Sequence, residues 1–280
     1  MAAVMMGMES PGTVEQCSGD LFIRSGQEKK LESLKLDSVT SKLSDDYQLK
    51  RWDGELGNYT THLDWMYQHA KEYTSVDKEG FRPWGEDHGV KYEIHDDLTQ
   101  AGGGDGYFRL NGEVDIPPEL LIAQVLDAQS IGKLDPTVMY MNMLHTYGDK
   151  KSKLCLWIAA PGFPFNWRMG LDLTTWRKDD TGVYWQLSLS VPTELHEQPD
   201  IGIHSIDRYW AYRLEPLDGG KRTRLTLLCQ TSLFGWMPQF LVNMKVGEVL
   251  SDYVRKVESN GKELEATQTA QALMETVFGH

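Results

Sequence analysis

Cysteine is scarce in this chain. Its three cysteines, Cys17, Cys155 and Cys229, are too few and too scattered for a disulfide framework, which points to a reducing, cytoplasmic compartment. Long apolar runs are absent too: none approaches the ~20 residues that span a bilayer. Met1 to Met8 is apolar, but no cationic stretch precedes it and Glu9 and Glu15 follow. The expectation is neither a secretory signal nor an Arg-rich transit peptide. Positive charge is in deficit, with 28 Lys and Arg against 41 Asp and Glu and a net charge of -13. That argues against nucleic acid, whose phosphates attract basic surfaces, and against steady residence on anionic membranes. Brief apolar contact with a membrane stays compatible with it. Catalytic signatures are missing as well: there is no G-x-S-x-G, H-E-x-x-H or paired C-x-x-C. The glycines from Gly102 to Gly106 fail the nucleotide-binding spacing. His196 and His204 share a loop with no Cys or carboxylate pattern and read as solvated. No metal, no cofactor and no catalytic residue is predicted.

What is present is a full globular composition. The 280 residues are 40% hydrophobic, with 9 Trp and 12 Tyr, enough for a large core. Residues 1–58 are rich in Ser, Gly, Lys, Glu and Asp and predict a disordered segment whose deletion leaves binding and melting temperature nearly unchanged. Residues 59–261 carry the dense pattern of one domain. Residues 262–280 read as a tail or helical extension, with Leu264, Leu273, Met274, Val277 and Phe278 roughly helically spaced.

Within the domain, Leu63, Met66, Tyr67, Ala70 and Tyr73 predict a helix after a cap at Thr61. Strands are predicted over 90–96, 107–114, 138–147, 153–160, 167–178, 183–191, 206–216 and 222–231. A short helix opens at Asp115-Ile116-Pro117-Pro118 and runs to about Leu126. Proline again opens a long amphipathic helix over 238–257, where its fixed φ and missing N–H do no harm. This order describes an α+β fold, a curved antiparallel sheet around the last helix.

Alternation assigns faces. Val183, Trp185, Leu187, Leu189 and Val191 point one way, and Tyr184, Gln186, Ser188 and Ser190 the other. Met169, Leu171 and Leu173 repeat the pattern, as do Leu225, Leu227 and Cys229. One apolar face results, and periodicity alone fits a filled core as well as a cavity. By the same parity Asp172 is expected to face outward. His145 falls in line with Met139, Met141 and Met143, either as a polar group gripping a ligand or as a hydrogen-bonded core histidine. Between the last strand and the last helix lie Leu233, Phe234, Trp236 and Met237, aromatic side chains whose exposure is unfavourable unless something apolar meets them.

That passage resembles the end of a START (steroidogenic acute regulatory related lipid transfer) domain, through Gly235, Trp236, Pro238, Leu241, Val242 and Asn243. Phe163-Pro164-Phe165-Asn166-Trp167-Arg168-Met169 is similar to the family's Trp-Pro-x-x-x-Arg-Asp segment, with Met169 in place of Asp. The stretch from Ser188 through His196 and Pro199 to Ile206-Asp207-Arg208 has the family's serine, His-x-x-x-Pro and next-strand layout. The resemblance covers about 59–259. It implies a helix-grip fold that holds a single lipid (sterol, phospholipid, ceramide or fatty acid) in an internal tunnel, without catalysis. On this resemblance, the tunnel wall is expected to include Met169, Leu171, Leu173, Trp185, Leu187, Leu189, Trp210, Tyr212, Leu225, Leu227 and Met244. His145 and Arg208 are its polar candidates. Phe163 and Phe165 in one loop, and Leu233, Phe234, Trp236 and Met237 in the other, would flank its mouth and touch membranes transiently. A monomer is expected. Alternatives are an enzyme of the same fold superfamily, polyketide-cyclase-like or hydrolytic, and an interaction scaffold.

Overall fold

The computed structural model describes residues 20–26, 43–51, 54–75, 78–95, 105–160, 168–191, 203–204, 206–232 and 239–279. At 105–106, 168, 203–204, 206–208, 231–232 and 239–249 it describes the backbone alone. The mouth residues Phe163, Phe165, Leu233, Phe234, Trp236 and Met237 lie outside the described residues, as do the side chains of Arg208 and Met244.

Antiparallel pairing builds a curved sheet from β1 (Leu21–Ile23), β4 (Phe81–Asp87), β5 (Val90–His95), β6 (Asp105–Val114), β7 (Val138–Thr146), β8 (Lys153–Ala159), β9 (Arg168–Lys178), β10 (Tyr184–Ser190), β12 (Ile206–Leu217) and β13 (Arg222–Ser232). Their order is β1-β7-β8-β9-β10-β12-β13-β6-β5-β4, and β11 (Ile203–His204) runs parallel on the start of β9. A separate pair joins β2 (Leu49–Lys50) to β3 (Leu56–Gly57). The strand pattern expected from the sequence is largely this one. The turn into β10 is fixed by Asp179, whose carboxylate accepts from Thr181 N at 3.0 Å, Val183 N at 3.1 Å and Trp185 Nε1 at 2.9 Å. The hairpin between β12 and β13 turns through Gly219 and Gly220 at φ 70° and 89°, where a side chain would be strained.

Helices cover both faces. On the outer face lies α1 (Tyr59–Tyr73), capped by Asn58, not Thr61: the Asn58 side-chain Oδ1 accepts from Thr61 N at 3.1 Å. Its Met66 and Ala70 pack in one core with Leu171, Leu173, Trp185, Leu187, Leu189, Tyr209 and Leu228. Arg109, on β6, ties the end of α1 to the sheet: it pairs with Glu93 at 2.7 Å and donates to Ser75 O at 2.5 Å.

The inner face carries the remaining helices. Pro117 and Pro118 start α2 (Pro118–Leu126), and the Asp127 carboxylate caps α3 (Ala128–Leu134) by accepting from Ser130 N at 2.7 Å. The long α4 (Gln239–Ala266) lays Leu250, Val254 and Val257 against Tyr212, Leu225 and Leu227. A closing helix, α5 (Ala270–Phe278), ends at Gly279 in the left-handed conformation and sets Phe278 edge-on against Trp176.

The described parts of residues 1–58 correct the expectation of a disordered segment. Strand β1 pairs with β7, and Phe22 is only 1% exposed. The phenyl ring fills space above Gly132, where an added Cβ would lie 2.2 Å away. Arg24 donates to the carbonyls of Val138 at 2.8 Å and Gly132 at 2.7 Å. Leu49 is fully buried in the outer core. Composition missed this because two short strands need only a few apolar anchors to dock.

Candidate functional site

On β9 and β10 the face that meets α4 is not the one that alternation selected, whereas on β13 it is. Met169, Leu171, Leu173, Trp185, Leu187 and Leu189 sit in the outer core beneath α1; Trp185 makes an edge contact with Tyr67 at 5.4 Å. They are corrected from ligand wall to structural core. The physical reason is that the sheet is covered twice, so its most apolar stripe had two places to go. Trp210, Tyr212, Leu225 and Leu227 do lie on the α4 side. A bulge between Met143 and His145 breaks the alternation of β7, so His145 leaves the line of Met141 and Met143. It lies edge-on to Tyr147 and 3.5 Å from Asp45, away from the inner face.

The inner face instead presents polar side chains in a tied cluster. Asp172, 8% exposed, accepts from the indole N–H of Trp157 at 2.8 Å and from the Ser190 hydroxyl at 2.7 Å. Ser188 reaches the same carboxylate at 3.5 Å. One step further along, Gln186 Nε2 donates to Thr174 Oγ1 at 3.0 Å, and the hydroxyl of Thr174 donates to Leu187 O at 3.2 Å. Gln186 Oε1 is buried with no partner among the described residues. Asp172 thus faces inward, against the outward expectation. Its charge, after burial itself, helps push the neighbouring Cys155 thiol well above the ordinary range, leaving it protonated and unreactive.

Aromatic rings flank this cluster. Trp157 is half-buried, packed with Met141, Met143 and Cys155. Trp210, also half-buried, is the register partner of Ser188 and makes an edge contact with Tyr253 of α4 at 6.2 Å. Toward the other end of the face the layers close. The gap bounded by Val114, Leu121, Tyr212, Leu225, Tyr253, Val254 and Val257 is too small to admit a water molecule.

Such an arrangement can orient a molecule with one polar end and a large apolar remainder. Among the described residues no group of His, Cys, Asp or Glu is placed to hold a metal, and no helix is long and apolar enough to cross a membrane. Sequence reasoning passed over Trp157, Gly170, Ser188 and Ser190 as site residues. The signal was present: a solvated sheet face usually carries Lys and Glu, whereas Gln186, Ser188 and Ser190 are polar without charge, as befits a covered polar face.

No protein-family model matches the chain, and no curated protein does. Solved structures do. Human StAR-related lipid transfer protein 5 superposes with a TM-score of 0.65 at 16% identity, over 74% of this chain and 98% of that one. The lipid transfer and protein localization domain of human StarD13 gives 0.55 at 20% identity, over 71% and 95%. A STAR-related lipid transfer protein fragment from Xanthomonas axonopodis gives 0.56 at 17% identity, over 66% and 99%. At such identities the likeness is one of fold, and the fold of this chain is the START-type helix grip.

Proposed function

We propose that the protein binds one lipid between the inner face of the sheet and α4, and carries or senses it at membranes without chemical change. The observation that carries this reading is the inner face itself. A buried, hydrogen-bonded polar cluster stands beside two half-buried tryptophans, within a fold shared with lipid transfer proteins. Burial of each methylene is worth about 0.8 kcal/mol, so an acyl chain or ring system supplies the affinity and the polar cluster the orientation. The ligand belongs among sterols, phospholipids, ceramides and fatty acids. The protein acts as a monomer in the cytoplasm, with β1 and residues 59–261 as its lipid-binding unit and α5 as a helical extension.

Native mass spectrometry of the purified full chain is expected to show an added mass of one lipid. Purified protein that stays empty after incubation with mixed-lipid vesicles overturns the reading.

Membrane contact is assigned to Leu233, Phe234, Trp236 and Met237, which follow β13 directly in the chain, with Phe163 and Phe165 as a second, weaker contact. A net charge of -13 keeps that contact brief. Trp236→Ala is expected to slow lipid transfer between vesicles much more than it weakens lipid capture from detergent, since one lost anchor removes a few kcal/mol of docking at most. Phe163→Ala acts in the same direction and less. A fluorescent-lipid transfer assay with vesicle flotation checks both. Unchanged transfer with a large fall in thermal stability would show that Trp236 is a buried anchor.

A further inference from the structure

We propose that Trp157 forms one wall of the ligand space, and that Gly170 and Asp172 together hold its indole there and set how broad a ligand the protein admits. The inference rests on the lipid-binding reading and deepens it.

Trp157 and Gly170 face each other across β8 and β9. A Cβ at Gly170 would lie 2.4 Å from Cε2 and Cζ2 of the indole and 2.6 Å from its Nε1. The glycine is therefore required for space: its φ is not positive, so nothing in the backbone asks for it. The ring lies down against the sheet because no side chain stands beneath it. Its N–H then reaches Asp172, two residues along β9 on the same face, at 2.8 Å. Asp172 is itself oriented by the Ser190 hydroxyl at 2.7 Å. Contact from below and a charge-assisted hydrogen bond at the edge together fix both side-chain torsions of Trp157. Asp172 is thus a positioning residue. The indole stays half-buried on the inner face, as a wall kept low.

A methyl group at Gly170 would undo this. Restoring ordinary contact, from 2.4 Å to 3.4 Å, moves the ring by about 1 Å, off Asp172 and into the ligand space. A ligand of broad, rigid cross-section is excluded first, and a single flexible chain last.

The test uses the full chain and phosphatidylcholine vesicles carrying either a fluorescent sterol or a fluorescent single-chain fatty acid, with melting curves to confirm folding. For Gly170→Ala, sterol uptake is expected to weaken about tenfold or more while fatty-acid uptake changes little. Adding Trp157→Phe to Gly170→Ala makes room for the new methyl group and should restore sterol uptake. Asp172→Ala should erode the sterol-to-fatty-acid ratio, and Asp172→Asn should keep it, because an amide oxygen still accepts from the indole. Should Gly170→Ala fail to fold, Trp157→Phe alone carries the test and must raise the ratio. A wild type that takes up neither probe overturns the lipid reading itself. A wild type that takes up both, with the ratio unchanged in every folded variant, overturns this inference alone.

Discussion

A chain beginning at residue 27 is expected to melt about 10 °C below the full chain, a shift that corresponds to a loss of several kcal/mol for a domain of this size. The largest share comes from Phe22. It is 1% exposed and rests on Gly132, against Ala128, Val138 and Met141. Emptying a core site of this kind costs about 3–5 kcal/mol, out of the roughly 5–15 kcal/mol that holds a typical domain together. Truncation also removes the bonds of Arg24 to Val138 O and Gly132 O and leaves the edge of β7 unpaired. Phe22→Ala in the full chain should reproduce most of the loss, and Gly132→Val should approach it by expelling the ring. Calorimetric melting of the three variants beside the wild type decides the matter. Equal melting temperatures would mean that β1 is not docked in solution.

Acid should weaken the fold through His69 well before most carboxylates protonate. His69 lies on α1 between Trp65 and Tyr73, stacked on the former at 4.5 Å, with its Nε2 against the Tyr107 hydroxyl. Burial lowers its pKa from 6.5 to about 4; the charges of Arg51 and Lys78 act in the same direction and Glu72 opposes them. Burial likewise pushes the Tyr107 hydroxyl far above its ordinary range, so Tyr107 keeps its proton and donates it to the neutral ring. The sign follows from which state binds the proton. Below pH 6.5 the unfolded chain protonates this histidine and the folded one does not, until about pH 4. Stability is therefore complete above pH 6.5 and falls by about 3 kcal/mol as pH drops to about 4, after which this group contributes no further change. His69→Gln keeps an acceptor for Tyr107 without the titration, so its stability should vary less over that interval. Urea unfolding of both proteins at a series of pH values measures the difference. Parallel curves would place the His69 pKa near its ordinary value.

The strands and the two principal helices were legible because their signals are local. Alternation in β9 and β10, helical spacing in α1 and prolines at helix starts all act over neighbouring residues. What was not legible follows from contacts distant in sequence. Short elements such as β1 and α3 carry too little pattern to announce themselves. Strand β1 exists because Phe22 finds the hollow over Gly132, 110 positions away. The bulge that turns His145 away from Met143 is a property of the pairing with β8 and leaves no mark in β7 alone.

The amino-acid order by itself therefore determined an α+β chain with a long closing helix, low in cysteine and strongly acidic, and it determined which side chains share a strand face. It could not say which face is which. A sheet covered by helices on both sides buries both of its stripes, and hydrophobicity does not distinguish a core under α1 from a wall under α4. Only the tertiary structure put Leu171, Trp185 and Leu187 outside and turned Asp172, Ser188 and Ser190 to the inner face, the side of α4. The buried polar side chains are stable there because they hydrogen-bond one another across adjacent strands, a condition that no single strand can state.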